Sequence, residues 1–144
     1  MTRTTRAIGA LVLAASLALG SAACSSDGAG QSTGASVQVG QQVAPQAFAD
    51  YAIKPGVVIL DVRTRAEFAS GHLPGAVNLD VQGADFGGGL AKLDRSASYA
   101  VYCHSGNRSL LALQQMAAKG FAQTTGLAGG ITAWAAAGRP TVTG

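Results

Sequence analysis

The sequence predicts an α/β domain in three layers, a mostly parallel central sheet of about five short strands with helices on both faces. Three observations predict it. Short apolar or β-branched runs bounded by turn residues, Val57-Val58-Ile59-Leu60 and Tyr99-Ala100-Val101-Tyr102 foremost, have the form of strands buried on both faces. These runs alternate along the chain with segments of helical periodicity, as βα units do. No stretch repeats at a fixed period, so the 144 residues hold one copy of one modest domain.

The front of the chain stands apart from that domain. Arg3 and Arg6 give a positive start, residues 7–19 form a short apolar run, and Gly20-Ser21-Ala22-Ala23 supplies small residues, the layout of a signal peptide over residues 1–23. The run is too short and wrongly flanked for a preferred transmembrane helix. Ser21-Ala22-Ala23-Cys24 also resembles a bacterial lipobox, with Ser21 where leucine is usual; in that motif the cysteine is lipidated and becomes the mature N-terminus. Ordinary cleavage after Ala23 would cut the same bond and leave Cys24 a free thiol. Residues 24–42 form a Gly/Ser-rich tether that can hold no core, and an exposed free thiol on such an arm is a liability. The expectation is therefore a Cys24 lipid anchor on the outer face of the cell membrane, with simple secretion as the alternative, and a folded domain over residues 43–144.

From Cys24 onward, Lys54, Arg63, Arg65, Lys92, Arg95, Arg108, Lys119 and Arg139 face Asp27, Asp50, Asp61, Glu67, Asp80, Asp85 and Asp94, eight against seven. With no basic run or interleaved aromatic stripe, that balance argues against a nucleic-acid partner. Past Cys24 the only cysteine is Cys103, so no disulfide can form within the domain. An unpaired thiol exported to a compartment where disulfides form readily is unusual for a purely structural residue.

Taken in order, Pro45 opens a short helix with Phe48 and Tyr51 on its apolar side, ended by Lys54-Pro55-Gly56. The run from Val57 is a buried strand that delivers Asp61 and Arg63 at its carboxyl end, where open α/β sheets place their crevices. Thr64-Arg65-Ala66-Glu67 has the capping-box pattern and starts a helix that stops by Gly71. Ala76-Val77-Asn78-Leu79 is a second short strand after Pro74-Gly75. Over residues 85–93, Gly87-Gly88-Gly89 weakens any helix, although Leu90 and Leu93 offer an apolar face. Tyr99 to Tyr102 is the central strand. The helix after it runs from Arg108 to Lys119, with Leu110, Leu113 and Ala117 at helical spacing, Leu111 and Met116 widening the buried face, and Gly120 as its cap. A last strand falls within residues 121–127, and Gly129-Gly130 turns into a short helix ended by Gly138 and Pro140.

Cys103 thus sits where a strand hands over to a helix. Backbone N–H groups converge at such a junction and the helix dipole is positive, which favours a thiolate and any anion it attacks. Three stretches then point one way: Leu60-Asp61-Val62-Arg63 with Glu67-Phe68 and Gly71-His72-Leu73-Pro74-Gly75-Ala76-Val77-Asn78; the loop Cys103-His104-Ser105-Gly106-Asn107-Arg108-Ser109; and Leu127-Ala128-Gly129-Gly130-Ile131 with Trp134 and Gly138-Arg139-Pro140. Together they resemble single-domain rhodaneses, the thiosulfate:thiol or cyanide sulfurtransferases, over residues 43–144. The resemblance implies the rhodanese-like fold and a Cys103 that takes sulfur from a small sulfane donor such as thiosulfate, holds it as a persulfide, and yields it to a thiol or cyanide. It makes residues 104–109 the substrate-binding loop, with Gly106 shaping an anion nest and Arg108 facing the donor, and it gives Asp61 and Arg63 a bracing role near that loop, against a role in the fold alone. No cofactor is implied. A thiol in such surroundings has a pKa below the ~8.5 of free cysteine.

Related cysteine phosphatases place five residues between Cys and Arg; here there are four, His104 to Asn107, the sulfurtransferase form. A noncatalytic binding module on the same scaffold, or a thiol redox or persulfide-handling enzyme, are the other readings. His104 reads as a loop residue facing the entrance rather than a general base, His72 as fixing its turn through a backbone hydrogen bond, Glu67 as a capping residue, and Trp134 as a core anchor. Two histidines and one domain cysteine without close carboxylate spacing make no metal site.

Overall fold

The computed structural model describes residues 40–144. The predicted signal peptide over residues 1–23, the lipidation residue Cys24, and the predicted tether up to residue 39 lie outside the described residues.

The two apolar runs become the inner strands β2 (Val57–Asp61) and β4 (Ser98–Tyr102), paired in parallel from Val57 beside Ser98 to Asp61 beside Tyr102. β3 (Val77–Asn78) lies outside β2, β5 (Gln123–Leu127) beyond β4, and β1 (Gln41–Val43) at the far edge, giving the order β1-β5-β4-β2-β3 with every pairing parallel. The expected α/β architecture is what the chain adopts. β1 is an element the sequence pattern did not reveal: Gln41 and Gln42, placed within the predicted tether, pair with Thr125 and Gly126. An edge strand of three residues is held by its backbone ladder and needs no apolar signature.

Among the described residues, five helices complete the layers: α1 (Pro45–Ala52), α2 (Arg65–Ser70), α3 (Phe86–Ala91), α4 (Asn107–Ala118) and α5 (Gly130–Ala136). Pro45 opens α1 at a first-turn position where the N–H that proline lacks has no helical partner to lose, and Thr64 and Glu67 form the reciprocal capping box of α2. α3 forms despite three consecutive glycines, each worth about 1 kcal/mol against a helix relative to Ala. Burying Phe86 and Leu90, at about 1.5–3 kcal/mol each, offsets that cost.

The period-two alternation of the strands sorts the core. Leu60, Val62, Tyr99, Val101 and Cys103 point to the face covered by α3 and α4, where they meet Phe86, Leu90, Leu113 and Met116. Ala100 and Tyr102 point to the other face, with Phe48 of α1, Leu73 and Trp134 of α5. Trp134 is a core anchor as expected: its ring meets Phe48 edge-on at 6.1 Å and its indole N–H donates to the Pro140 carbonyl at 2.9 Å.

The phase of α4 differs from the expectation. Its buried stripe is Ser109, Ala112, Leu113 and Met116, while Leu110 (41 % exposed), Leu111 (47 % exposed) and Ala117 face outward. The stripe keeps the i, i+3, i+4, i+7 spacing but is turned to start at a serine, because Ser109 is drawn under the cysteine loop by its hydrogen bonds. Leu113→Ala is therefore expected to cost about 2–4 kcal/mol, whereas Leu110→Ala stays within about 0.5 kcal/mol of the parent; urea titrations of the two variants check the assignment.

β2 leads through α2 to β3 on one side, and β4 leads through α4 to β5 on the other. The carboxyl ends of β2 and β4 are thus a topological switch point, where an open parallel sheet leaves a crevice between its departing chains.

Candidate active site

Cys103 is the first residue after β4 and is fully buried. Its Sγ accepts a hydrogen bond from the Gly106 N–H at 3.1 Å. Gly106, at φ 103°, takes the left-handed conformation that turns the chain back over the sulfur and starts α4. Burial alone would push the thiol pKa up; the N–H groups of Ser109, Gly106 and Ser105 and the Ser109 hydroxyl outweigh it, so the net shift is downward. The helix N-terminus thus holds the sulfur poised toward thiolate, as the junction in the sequence implied.

The loop is braced from both sides. The Gly106 carbonyl accepts hydrogen bonds from Gln42 Nε2 (2.7 Å), Ser109 Oγ (2.8 Å) and the Leu110 N–H (3.1 Å). From the other side, the Ile131 N–H donates to the Cys103 carbonyl at 2.8 Å, and Thr132 donates to the His104 carbonyl through its N–H (3.2 Å) and Oγ1 (3.0 Å). Gly130, at φ 59°, is the point of closest approach: a Cβ there would run into the Cys103 and His104 carbonyl oxygens. Gln42 and Thr132 had no local signal in the sequence, because their partners lie in a loop more than two dozen residues away.

Of the remaining predicted loop residues, His104, Ser105 and Asn107 are exposed around the buried sulfur, and Ser109 is buried beneath it. The His104 side chain is at the surface, in keeping with an entrance residue. Arg108 is half-buried and reaches across the switch point to α2, where Nη1 and Nη2 donate to the two Glu67 carboxylate oxygens at 2.7 and 2.6 Å. Glu67 does more than cap α2. The Arg108 hydrogen bond, opposed by burial and reinforced by Thr64, lowers its pKa from an ordinary 4.5 to about 2. The stabilisation from this depressed carboxylate is complete above pH 4.5 and is lost as the pH falls toward 2. Glu67→Gln is expected to flatten the fall in stability across that window, measured as urea midpoints against pH.

Asp61 and Arg63 meet each other. Arg63 Nη2 and Nε bond Asp61 at 2.6–3.0 Å, and Nη2 also donates to the Gly71 carbonyl at 2.6 Å. Alternation along β2 puts the Asp61 side chain on the face of Tyr102, whose ring lies 5.7 Å from the Arg63 guanidinium, and so opposite the face of Cys103. The pair fastens the turn that ends α2, and its hydrogen bonds go to that turn and not to the cysteine loop. His72 joins the same turn: its Nδ1 lies 3.0 Å from the Phe68 carbonyl, and its ring stacks on Phe68 at 3.8 Å. Among the described residues no group of three or more His, Cys, Asp or Glu side chains is arranged to hold a metal ion, and no helix is long and apolar enough to cross a membrane.

Known proteins resemble this chain in sequence and fold. A sulfurtransferase of Allochromatium vinosum is 34 % identical over 86 residues, covering 60 % of this chain and 78 % of its own. The thiosulfate sulfurtransferase GlpE of Pseudomonas putida is 32 % identical over 97 residues, 67 % of this chain and 86 % of its own. Among solved structures, a rhodanese-related protein of Thermoplasma volcanium superposes with a TM-score of 0.63 at 27 % identity, covering 71 % of this chain and 97 % of its own. The family model described as the rhodanese-like domain matches residues 44–137, from the residue before α1 to the last turn after α5. Fold and sequence agree with that match, and the chain belongs to the rhodanese-like domain family.

Proposed function

We propose that this domain is a sulfurtransferase that works through a Cys103 persulfide. The observation that carries the reading is the sulfur itself: a thiol at the switch point, with the N–H groups of Ser105, Gly106 and Ser109 turned toward it and its pKa lowered despite burial. The relatives named sulfurtransferase support the class. In the reaction the Cys103 thiolate attacks the outer sulfur of a sulfane donor. A sulfur–sulfur bond forms at Sγ as the donor's own sulfur–sulfur bond breaks, and sulfite leaves with the electron pair when the donor is thiosulfate. A thiol or cyanide then takes the outer sulfur and returns the thiolate. The same N–H groups that face the thiolate are placed to face the persulfide anion, so the charge stays solvated by the loop through the cycle.

Mass spectrometry of the domain after thiosulfate treatment tests this reading. A gain of one sulfur at Cys103, removed by cyanide, is the expected result, with a formation rate whose pH inflection lies below the ~8.5 of a free thiol. No adduct with any sulfane donor overturns it. We further propose that the mature protein is held at the outer face of the cell membrane by a lipid on Cys24, a reading that rests on the lipobox-like Ser21-Ala22-Ala23-Cys24 and the Gly/Ser-rich stretch behind it. Metabolic labelling with a fatty-acid probe, lost in Cys24→Ser, is the expected result; an unlabelled chain in the culture medium overturns it.

A further inference from the structure

Arg108 is the one cation within the cysteine loop, and it is already engaged. Its guanidinium is held by both oxygens of Glu67, at 2.6 and 2.7 Å, in a fork-to-fork pair. Its other neighbours are Gln82, whose Oε1 lies 3.5 Å from Nη1, and Asp80, a second carboxylate that acts on Arg108 from farther away. Arg63 belongs to the opposite face of the sheet and is paired with Asp61. Summed over Arg108, Glu67, Asp80 and the thiolate, the charge at this edge of the loop is negative. A dianion approaching Cys103 meets an arginine already paired, beside a carboxylate that is also held by the Thr64 N–H and hydroxyl at 3.1 and 2.9 Å.

We infer that Glu67 sets the donor preference of the site: by holding Arg108 in a two-pronged ion pair across the switch point, it favours monoanionic sulfane donors over dianionic thiosulfate. The inference rests on the sulfurtransferase reading above and deepens it. An organic thiosulfonate, R–SO2–S⁻, carries one charge less than thiosulfate but offers the same outer sulfur. The Cys103 thiolate forms the sulfur–sulfur bond, the donor's own sulfur–sulfur bond breaks, and the sulfinate R–SO2⁻ departs with the electron pair, leaving the same persulfide. Glu67 is a positioning residue in this scheme, acting through Arg108.

The test compares benzenethiosulfonate with thiosulfate as donors, cyanide as acceptor and thiocyanate as product. Glu67→Gln removes the charge and keeps the cap, since glutamine also serves at the third position of a capping box. The ratio of kcat/KM for thiosulfate over benzenethiosulfonate is expected to rise about tenfold in Glu67→Gln, the effect of one unit charge on one extra donor charge across several ångströms near a protein surface. Asp80→Asn shifts the ratio the same way by less, and in the wild-type chain added salt raises it, because screening relieves the dianion more. A ratio unchanged in both variants and falling with salt in the wild type overturns the role of Glu67 while leaving sulfur transfer standing. Failure of both donors to place sulfur on Cys103 overturns the sulfurtransferase reading and this inference with it.

Discussion

Cys103→Ser is expected to fold with the parent's circular dichroism spectrum and to lose at least about a thousandfold in kcat/KM for sulfur transfer. The structural side of this prediction follows from the surroundings of Sγ. It packs on the α4 face with Leu113 and Met116 and takes one hydrogen bond from the Gly106 N–H. A serine oxygen is smaller, still accepts that bond, and leaves the braces on the Gly106, Cys103 and His104 carbonyls untouched, because they grip the backbone. The chemical side follows from what the loop can do. It stabilises an anion with N–H groups but contributes no base: His104 has its side chain at the surface, and Ser109 shares its hydroxyl with the Gly106 carbonyl. A thiol can ionise in such a place; a hydroxyl without a base beside it stays a poor nucleophile. Thiocyanate production and the mass of the protein after donor treatment are the measurements. A serine variant that keeps more than about a tenth of the activity would mean that sulfur passes through another group.

Arg63→Met is expected to cost about 3–5 kcal/mol of stability, read as a lowered urea midpoint, and to leave sulfur transfer per folded molecule nearly intact. The Asp61 side chain is 0 % exposed and the Arg63 side chain 5 %, so removing the guanidinium strands a carboxylate away from water and strips the Gly71 carbonyl of its donor. Replacing both members, Asp61→Leu with Arg63→Met, removes the stranded charge and is expected to recover most of the loss. Activity should persist because the pair lies on the Tyr102 face while the sulfur lies on the α4 face. An Arg63→Met variant that stays folded but loses transfer would instead give the pair a direct hold on the loop.

The two experiments divide the candidate site along the line that separates what was legible in the sequence from what was not. Cys103 and Gly106 were legible because their roles are local, whereas Arg108 was expected to face the donor and its ion pair with Glu67 was not visible. A strand that stops at a cysteine, a glycine free to take positive φ, and a helix beginning within four residues dictate N–H groups around sulfur whatever the rest of the chain does. Glu67 was legible only as a cap, since the Thr64 pairing lies three residues away, whereas its Arg108 partner lies 41 residues off. Gln42 was invisible for the same reason, and its strand was read as tether. The expected buried face of α4 was misassigned by one position because apolar periodicity alone does not know that Ser109 is pulled inward.

By itself, then, the sequence determined the α/β class, the order of its elements from α1 onward and the place of the thiol, because short apolar runs, caps and turn glycines act over a few residues. Tertiary structure alone decided which face of the sheet each side chain serves, that β1 closes the edge, and that Arg108 is held by Glu67. Those outcomes depend on pairing between distant segments: the parallel register of β2 with β4 brings α2 and α4 to the two sides of one crevice, and an ion pair can form only once they stand there.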